Sequence, residues 1–494
     1  MFQKLSWTQH LILALLLGFL ARGLTAYYVY GSQSNDDYSH GLLPALAADN
    51  GVELKIPNWR SPLLVWTLTP AVSVGKALGI DTQFGLIRFV LFSLGVFSLL
   101  GVWAYGLYGR RLGGLIGLYL LSLHFIMTFG STRAFGETIA VTFTLLAFLM
   151  IYASEDQSTE RLERKSLFFL GCLSLGIACL YRFQVGVLAV GFGVYFAASR
   201  RWSQLALLTL AGLIAAGLQG MVDLNFGRKP LETLYNYLYI NKDGATEHSD
   251  QPWFNTWLTL LPMWLFPFSI PLLRQIKKFS RTEFLWLALI AFFVALHSMI
   301  PHKEERFLFP IVPLMLILLA KLWNESWNQP WERWFFRPAV FIILPFGLFI
   351  ATFSNSQSGE YEPFRQAEAL RRPVILWDYE STLSESNFLW NFVGKQIQYQ
   401  DVKRWPTAEE LTGLNVNDAL LVTSQENHLL ELTPDPPGYS QLGWHCKAPV
   451  KIQSFADRML YFMNPHFNWR RKATWLRHCH RGSEQDKNPK SVSL

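Results

Sequence analysis

Charge is what this chain has least of. Only 16% of its 494 residues are Asp, Glu, Lys or Arg, against roughly 25% in a soluble globular protein. With 51% hydrophobic residues and a mean hydropathy of +0.19, that scarcity excludes an ordinary water-soluble protein. It fits a polytopic membrane protein with some water-exposed mass. Cysteine is scarce too: Cys172, Cys179, Cys446 and Cys479 are the only four. The first two stand in an apolar run and read as packing residues. The last two have the option of pairing in an oxidising compartment, which sequence does not decide. No Walker loop, no tightly spaced set of metal ligands and no Ser-His-Asp signature occurs, so no motif calls for a metal or a cofactor. Internal repeats are lacking. No persuasive small-residue cleavage site follows the first apolar run, about His10 to Tyr30, which therefore reads as a spanning helix and not as a cleavable signal.

What is abundant agrees. The 19 Trp and 38 Phe suit membrane–water interfaces. The net charge of +7 needs no nucleic acid, because loops between apolar runs hold most of the excess. Hydropathy gives an α-helical polytopic protein with about eleven transmembrane helices: 9–29, 83–108, 112–129, 134–153, 167–181, 183–198, 205–222, 253–273, 284–300, 307–323 and 336–353. Residues 61–79, broken by Pro62, Pro70 and Gly75, read as an interfacial or re-entrant helix. With the N-terminus in the cytoplasm, all five basic clusters fall on one side: Arg110-Arg111, Arg161/Arg164/Lys165, Arg200-Arg201, Arg274/Lys277/Lys278/Arg281 and Arg333/Arg337. The other face receives 30–82, 129–133, Arg182, 223–252, 301–306 and everything after 354. Almost every unusual polar residue is there.

The spans, residues 1–353, make one domain. Residues 354–465 change texture. Short apolar runs such as Val374-Ile375-Leu376-Trp377 and Ala419-Leu420-Leu421-Val422 alternate with Ser/Asn/Asp/Pro-rich turns, the pattern of a small extracytoplasmic α/β domain. Residues 466–494 read as a basic tail, lying on an anionic membrane surface or disordered.

Five ionisable residues, His302-Lys303-Glu304-Glu305-Arg306, stand in a row between two apolar runs. Charge at membrane depth costs at least about 2.5 kcal/mol per group and rarely stands without a task. Lys303 and Arg306 suit a phosphate, and His302 can donate to it. Asn35-Asp36-Asp37-Tyr38 offers a carboxylate pair for general-base work, or else a solvated turn. Arg60, between Trp59 and Ser61-Pro62, suits an anionic headgroup or a snorkelling anchor. Arg133 and Glu137 open a span on one helix face, as a buried structural pair or as part of a site. Arg182 is the one charge in a tight connection on the same side. Tyr235, Asn236 and Trp253 belong to a long loop, 223–253, of the kind that often carries function. Together they describe a carboxylate pair, cations and aromatics at one membrane boundary. The cations suggest a phosphorylated ligand, and the depth suggests a lipid.

The run His302-Lys303-Glu304-Glu305-Arg306-Phe307 resembles the H-K-E-x-R-F signature of the GT-C polyprenyl-phosphate-mannose-dependent α-mannosyltransferases, the family of the lumenal N-glycan and GPI-anchor mannosyltransferases. Other blocks agree in order: Asn35-Asp36-Asp37-Tyr38, Arg60-Ser61-Pro62, Thr132-Arg133, Asp223 through Gly227, then Pro230, Tyr235-Asn236 and Pro252-Trp253. The likeness runs from the first span to Pro310. Two features depart from the family pattern: Ser34-Asn35 replaces the usual His-Pro, and no clear Trp-Glu precedes Arg60-Ser61. The resemblance implies an inverting hexosyltransferase without metal or cofactor, taking a polyprenyl-phosphate-mannose donor and a lipid-linked glycan or glycolipid acceptor. It implies Asp36, with Asp37, as the catalytic acids. It implies His302, Lys303, Arg306 and Arg182 at the donor phosphate, and Arg60, Arg133, Tyr235, Asn236 and Trp253 at the acceptor or headgroup. The site is then periplasmic in a bacterium, the favoured source, or lumenal in a eukaryotic ER. Two other readings stand beside it: transfer of another sugar from a polyprenyl phosphate to an envelope lipid, and a lipid-linked-sugar transporter. The latter predicts charges near the bilayer midplane.

Overall fold

A backbone in hydrocarbon must satisfy its own N–H and C=O groups, so the apolar runs fold as helices. The computed structural model describes residues 5–29, 38–49, 51, 56–155, 161–243, 252–300, 303–353, 358–379, 383, 397–414, 416–424, 439–463 and 472–482. Among the described residues eight helices are long and apolar enough to cross a membrane: Trp7–Tyr28, Gln83–Tyr108, Gly136–Ser154, Arg161–Tyr181, Trp202–Asn225, Arg281–Met299, Glu305–Glu325 and Glu332–Phe353. A pair bent by 45°, Arg110–Leu123 and Phe125–Ser131, makes a ninth if it counts as one span. Sequence sets several of the starts. Ser6 with Gln9, and Ser280 with Glu283, form reciprocal capping boxes. The outward faces stay apolar: the first helix exposes Ile12, Leu16, Phe19, Leu20 and Leu24, as a lipid-facing surface does. Fully buried Arg22 ties that helix to its neighbours, donating to Ser98 Oγ at 2.8 Å and to the Ser122 carbonyl at 2.7 Å.

Two of the eleven expected spans take another form. Residues 183–198 hold a single turn, Phe183–Val185, and the 13-residue helix Gly186–Ala198, short of the roughly 20 residues that a straight spanning helix needs. Residues 253–273 are not one helix. They form Asn255–Met263, a stretch of turns, and the 3₁₀ helix Ile270–Lys278. Pro262, Pro267 and Pro271 are the reason, since each lacks a donor and crowds the preceding turn. The segment still runs from end to end of the bundle. Asn255 lines a cavity beside Lys303, while Lys278 reaches Glu325 at 3.2 Å. The helix Leu63–Ala77, with Pro70 inside it, is short as expected and is tied to Leu43–Asp49 by a 2.5 Å Lys76–Asp49 ion pair.

The two ends of the bundle differ chemically. At one end the basic clusters meet each other and a few acids: Arg201 pairs with Glu155 at 2.8 Å, Thr282 donates to Glu155, and Lys321 lies between Glu283 and Glu325. The site described below occupies the other.

A six-stranded sheet packs at the site end. Its strands are β1 Val374–Tyr379, β2 Ile397–Val402, β3 Asp418–Thr423, β4 Trp444–Cys446, β5 Val450–Ile452 and β6 Thr474–Arg481, in the order β2-β1-β3-β6-β4, with β5 also on β6. The first three are mutually parallel, and β6 runs against β3. The helix Ser358–Ala369 joins the sheet to the spans. Its Glu368 accepts from the Gln83 and Phe84 amides at 2.5 and 3.1 Å, capping the helix Gln83–Tyr108. Tyr361, Phe364, Leu376, Leu420 and Leu476 share one apolar core with Leu46, Val65, Ile87 and Leu91. The boundary at 465 read from the sequence is corrected here. The basic stretch beyond it contributes β6, the strand that links β3 to β4. Leu476 and Cys479 are buried there, and Arg477 is only 2% exposed, so this described part of the stretch is not a solvated run. Cys446 and Cys479 form a disulfide across β4 and β6.

Candidate active site

The site grows from a tight turn. Between the helices Phe125–Ser131 and Gly136–Ser154, Thr138 Oγ1 donates to the carbonyls of Gly130 and Arg133, both at 2.8 Å, and closes the corner. Gly136 then allows a close approach that no other residue permits. A Cβ there would stand 2.5 Å from the Tyr181 carbonyl oxygen. That approach sets Glu137, in the first turn of its helix, against Arg182, the residue that ends Arg161–Tyr181. Their charged atoms lie 2.5 Å apart, with side chains 2% and 6% exposed. The helix N-terminus favours an acid at this position.

Arg306 arrives from a third segment. Its Nε is 3.9 Å from the Glu137 carboxylate, and Glu304 grips it twice, with Nε–Oε2 at 2.5 Å and Nη2–Oε1 at 2.9 Å. The Phe307 ring lies 5.1 Å from Arg182 and 5.6 Å from Arg306, and Phe135 stands 5.1 Å from Arg306. Lys303 is buried, with its ammonium donating to the Ile300 carbonyl at 2.6 Å. Two guanidinium groups and two carboxylates thus balance inside an aromatic frame. Buried charges persist when paired with opposite charge in this way. Such fixed donors are the arrangement that stabilises charge developing on a reacting group.

A second network borders the first. At the end of Trp202–Asn225 the chain reverses through Gly227, whose φ is +69°. The Gly227 amide donates to Leu224 and the Arg228 amide to Asp223, at 3.0 and 2.9 Å, a Schellman closure that requires glycine at this place. The spacing from Asp223 to Gly227 is therefore a helix ending. It frees the Asp223 carboxylate to accept from Gln219 at 3.0 Å and from the Thr233 hydroxyl at 2.5 Å. Arg228 then reaches back to the carbonyls of Arg60 and Ile56, at 3.0 and 2.8 Å, and Ser61 donates to Gln219 at 3.2 Å. The Arg60-Ser61-Pro62 block and the 223–243 segment are one hydrogen-bonded unit.

The expected residues can now be placed. Arg306 and Arg182 come together on Glu137, and Lys303 lines a cavity with Glu304 and Phe307 beside them. Arg133 is buried, its guanidinium 4.2 Å from the Phe129 ring. Arg60 lies in the second network, and Asn236 donates to the Asn58 carbonyl at 3.5 Å. Tyr235 and Trp253 are 69% and 66% exposed and stand apart from the charges. The tyrosine that faces them is Tyr237, two residues on and so on the opposite side of the helix Glu232–Asp243. Burial pushes its phenol above the ordinary range while Arg182, Arg60 and Arg306 pull it back. Asp36, Asp37 and His302 lie outside the described residues. Among the described residues no group of three or more His, Cys, Asp or Glu could hold a metal ion.

The family model for the Alg9-like mannosyltransferase family matches residues 60–372, more than half of the chain. GPI mannosyltransferase 4 of Eremothecium gossypii is 28% identical over 237 residues, 46% of each chain. GPI alpha-1,2-mannosyltransferase 3 of Danio rerio is 27% identical over 124 residues, 24% of this chain and 23% of its own. These matches span less than half the length of the curated relatives. In fold, the chain resembles the crystal structure of ArnT from Cupriavidus metallidurans bound to undecaprenyl phosphate, with a TM-score of 0.55 at 13% identity, over 94% of this chain and 97% of that one.

Proposed function

The chain belongs to the Alg9-like mannosyltransferase family, and from that premise we propose that it transfers mannose from a polyprenyl-phosphate-mannose donor to a glycolipid acceptor, with inversion at the anomeric carbon. The observation that carries this reading is the convergence of Arg182 and Arg306 on Glu137 and Phe307, with Lys303 on the adjoining cavity wall, at one end of a membrane bundle. A site built for a lipid phosphate needs cations that are fixed, partly desolvated and open to the bilayer. A transporter would instead hold its charges midway along the helices; the mid-span Arg22 is fully occupied by Ser98 and backbone carbonyls.

In this mechanism Asp36 takes the proton of an acceptor hydroxyl as that oxygen bonds to the anomeric carbon. The bond from that carbon to the phosphate oxygen breaks, and polyprenyl phosphate departs with the electron pair. The transition state has oxocarbenium character. Arg182, Lys303 and Arg306, with His302, stabilise the charge growing on the leaving phosphate. Glu137 and Glu304 hold the two guanidinium groups in place. Asp37 supports Asp36. Arg60, Arg133 and Asn236 border the acceptor or headgroup side, with Tyr235 and Trp253 at its rim.

The names of the relatives point to GPI glycolipids, and a mannose-bearing glycolipid of that kind is the acceptor we favour. The site faces away from the cytoplasm. The basic clusters at the opposite end support that orientation, and so does the Cys446–Cys479 disulfide in the sheet at the site end. Purified protein with polyprenyl-phosphate mannose and mannose-terminated glycolipids tests the proposal by product mass. A gain of one hexose that Asp36→Asn abolishes supports it. No hexose gain from the wild-type protein on any such acceptor refutes it.

A further inference from the structure

Beside the ion-pair cluster, a small cavity is lined by Asn255, Thr256, Thr259, His297, Lys303 and Glu304. Two of these side chains are deeply buried and incompletely satisfied. His297 is 5% exposed, and its Nε2 has no hydrogen-bond partner among the described residues. Thr256 is also 5% exposed, and its Oγ1 likewise has none. Buried polar groups without partners are uncommon and costly, and each asks for an explanation.

The chemistry of the pair narrows what completes it. His297 Nδ1 lies 2.8 Å from the Phe293 carbonyl oxygen, which only accepts, so Nδ1 carries the proton. In the neutral ring Nε2 is then a bare acceptor. The ring is locked in this pose by stacking on Phe293, with centroids 4.0 Å apart. Thr256 Oγ1 offers a proton and a lone pair. A phosphate oxygen satisfies the threonine but has no proton for Nε2. A hydroxyl satisfies both, donating to the imidazole and accepting from the threonine.

We propose that this cavity is a hexose-hydroxyl subsite, in which His297 Nε2 and Thr256 Oγ1 bind one ring hydroxyl of a sugar, a pair separate from the phosphate-binding cations, of which Lys303 shares the cavity wall. The assignment rests on the transferase reading above for its class of ligand. The sugar is either the hexose of the donor or the terminal hexose of the acceptor, and the test separates the two.

Intrinsic tryptophan fluorescence of the purified full-length protein measures affinity for three probes: polyprenyl phosphate, polyprenyl-phosphate mannose and a mannose-terminated glycolipid. Thr256→Val keeps the shape and removes the hydroxyl. It should leave bare polyprenyl phosphate unaffected and weaken one mannosylated probe about tenfold. Weakening of the donor assigns the cavity to the transferred sugar; weakening of the glycolipid assigns it to the acceptor. Thr256→Ser should restore the lost affinity. His297→Phe, which keeps a flat ring on Phe293, should weaken the same probe, and it stands in should the valine variant fail to fold. Unchanged affinity for all three probes, equal weakening of bare polyprenyl phosphate, or failure of serine to rescue overturns the proposal. Because the readout is binding, a wild-type protein that binds mannosylated lipid without transferring its sugar refutes the transferase reading and leaves the subsite judged on its own.

Discussion

Arg182 Nη2 lies 2.5 Å from Glu137 Oε1, with both side chains almost wholly out of water. The two residues stand on the two arms of one helical hairpin, Gly136–Ser154 and Arg161–Tyr181, and meet because Gly136 carries no side chain against Tyr181. Glu137 is also the acid nearest Arg306 apart from Glu304 among the described ion pairs. Glu137→Gln keeps the volume and removes the charge both guanidiniums face. It should cost about 3 kcal/mol of stability, since breaking one side of a buried pair strands the other. The double variant Glu137→Gln with Arg182→Gln should recover part of that loss. Thermal unfolding in detergent reads both.

Arg306→Lys keeps the charge and loses the two-pronged grip of Glu304. A point charge on a flexible stem does not reproduce a planar fork. The variant should fold normally and transfer mannose about a hundredfold more slowly in kcat, in the range seen when one preorganised donor is lost. A steady-state assay separating kcat from donor KM checks this.

Much of this centre is legible in one dimension. The row from His302 to Arg306 announces itself because charge is expensive between two apolar runs. The sidedness of the loops follows from the placement of lysine and arginine alone. What the sequence hides is pairing between distant segments. Glu137 and Arg182 are each visible, but their contact depends on a missing Cβ at position 136. Tyr235 and Tyr237 look equivalent as letters, and only the helical turn of Glu232–Asp243 decides which one meets the charges. His297 and Thr256 give no signal in one dimension, because a lone histidine or threonine in an apolar helix usually has its partners nearby. Residues 253–273 pass for a span because hydropathy averages over prolines. In β6, positive charge concealed the alternation that buries Leu476 and Cys479.

Arg228 fastens the helix ending at Asp223–Gly227 to the Arg60 block through the carbonyls of Arg60 and Ile56. Burial lowers its pKa, and Asp223 and Glu232 counter the shift. Arg228→Met should detach the two segments while leaving the ion-pair cluster intact. The expected result is a rise of about tenfold in acceptor KM, about 1.4 kcal/mol, with donor KM unchanged. Initial-rate kinetics against each substrate in turn measures it.

The sheet carries its own pH dependence. Asp418 is fully buried on β3, where burial pushes its carboxyl up, but His478, Arg372 and His480 pull harder and hold it below its ordinary value. A depressed carboxyl contributes stability above its unfolded pKa of about 3.9. That contribution is lost as pH falls through the depressed folded value. The sheet should therefore loosen in acid below about pH 4, and Asp418→Asn should flatten this dependence while lowering stability at neutral pH. Unfolding followed by fluorescence across a pH series gives both.

The central claim is that Arg182, Lys303 and Arg306 form a receptor for a lipid phosphate. Its most direct test compares the affinities of wild-type protein and Arg182→Gln for polyprenyl phosphate and for the unphosphorylated polyprenol. The account predicts that the wild type prefers the phosphorylated lipid and that the variant gives up at least about tenfold of that preference, the share of one charge-assisted hydrogen bond. Equal affinity of the wild type for the two lipids, or a preference that survives Arg182→Gln intact, would contradict it.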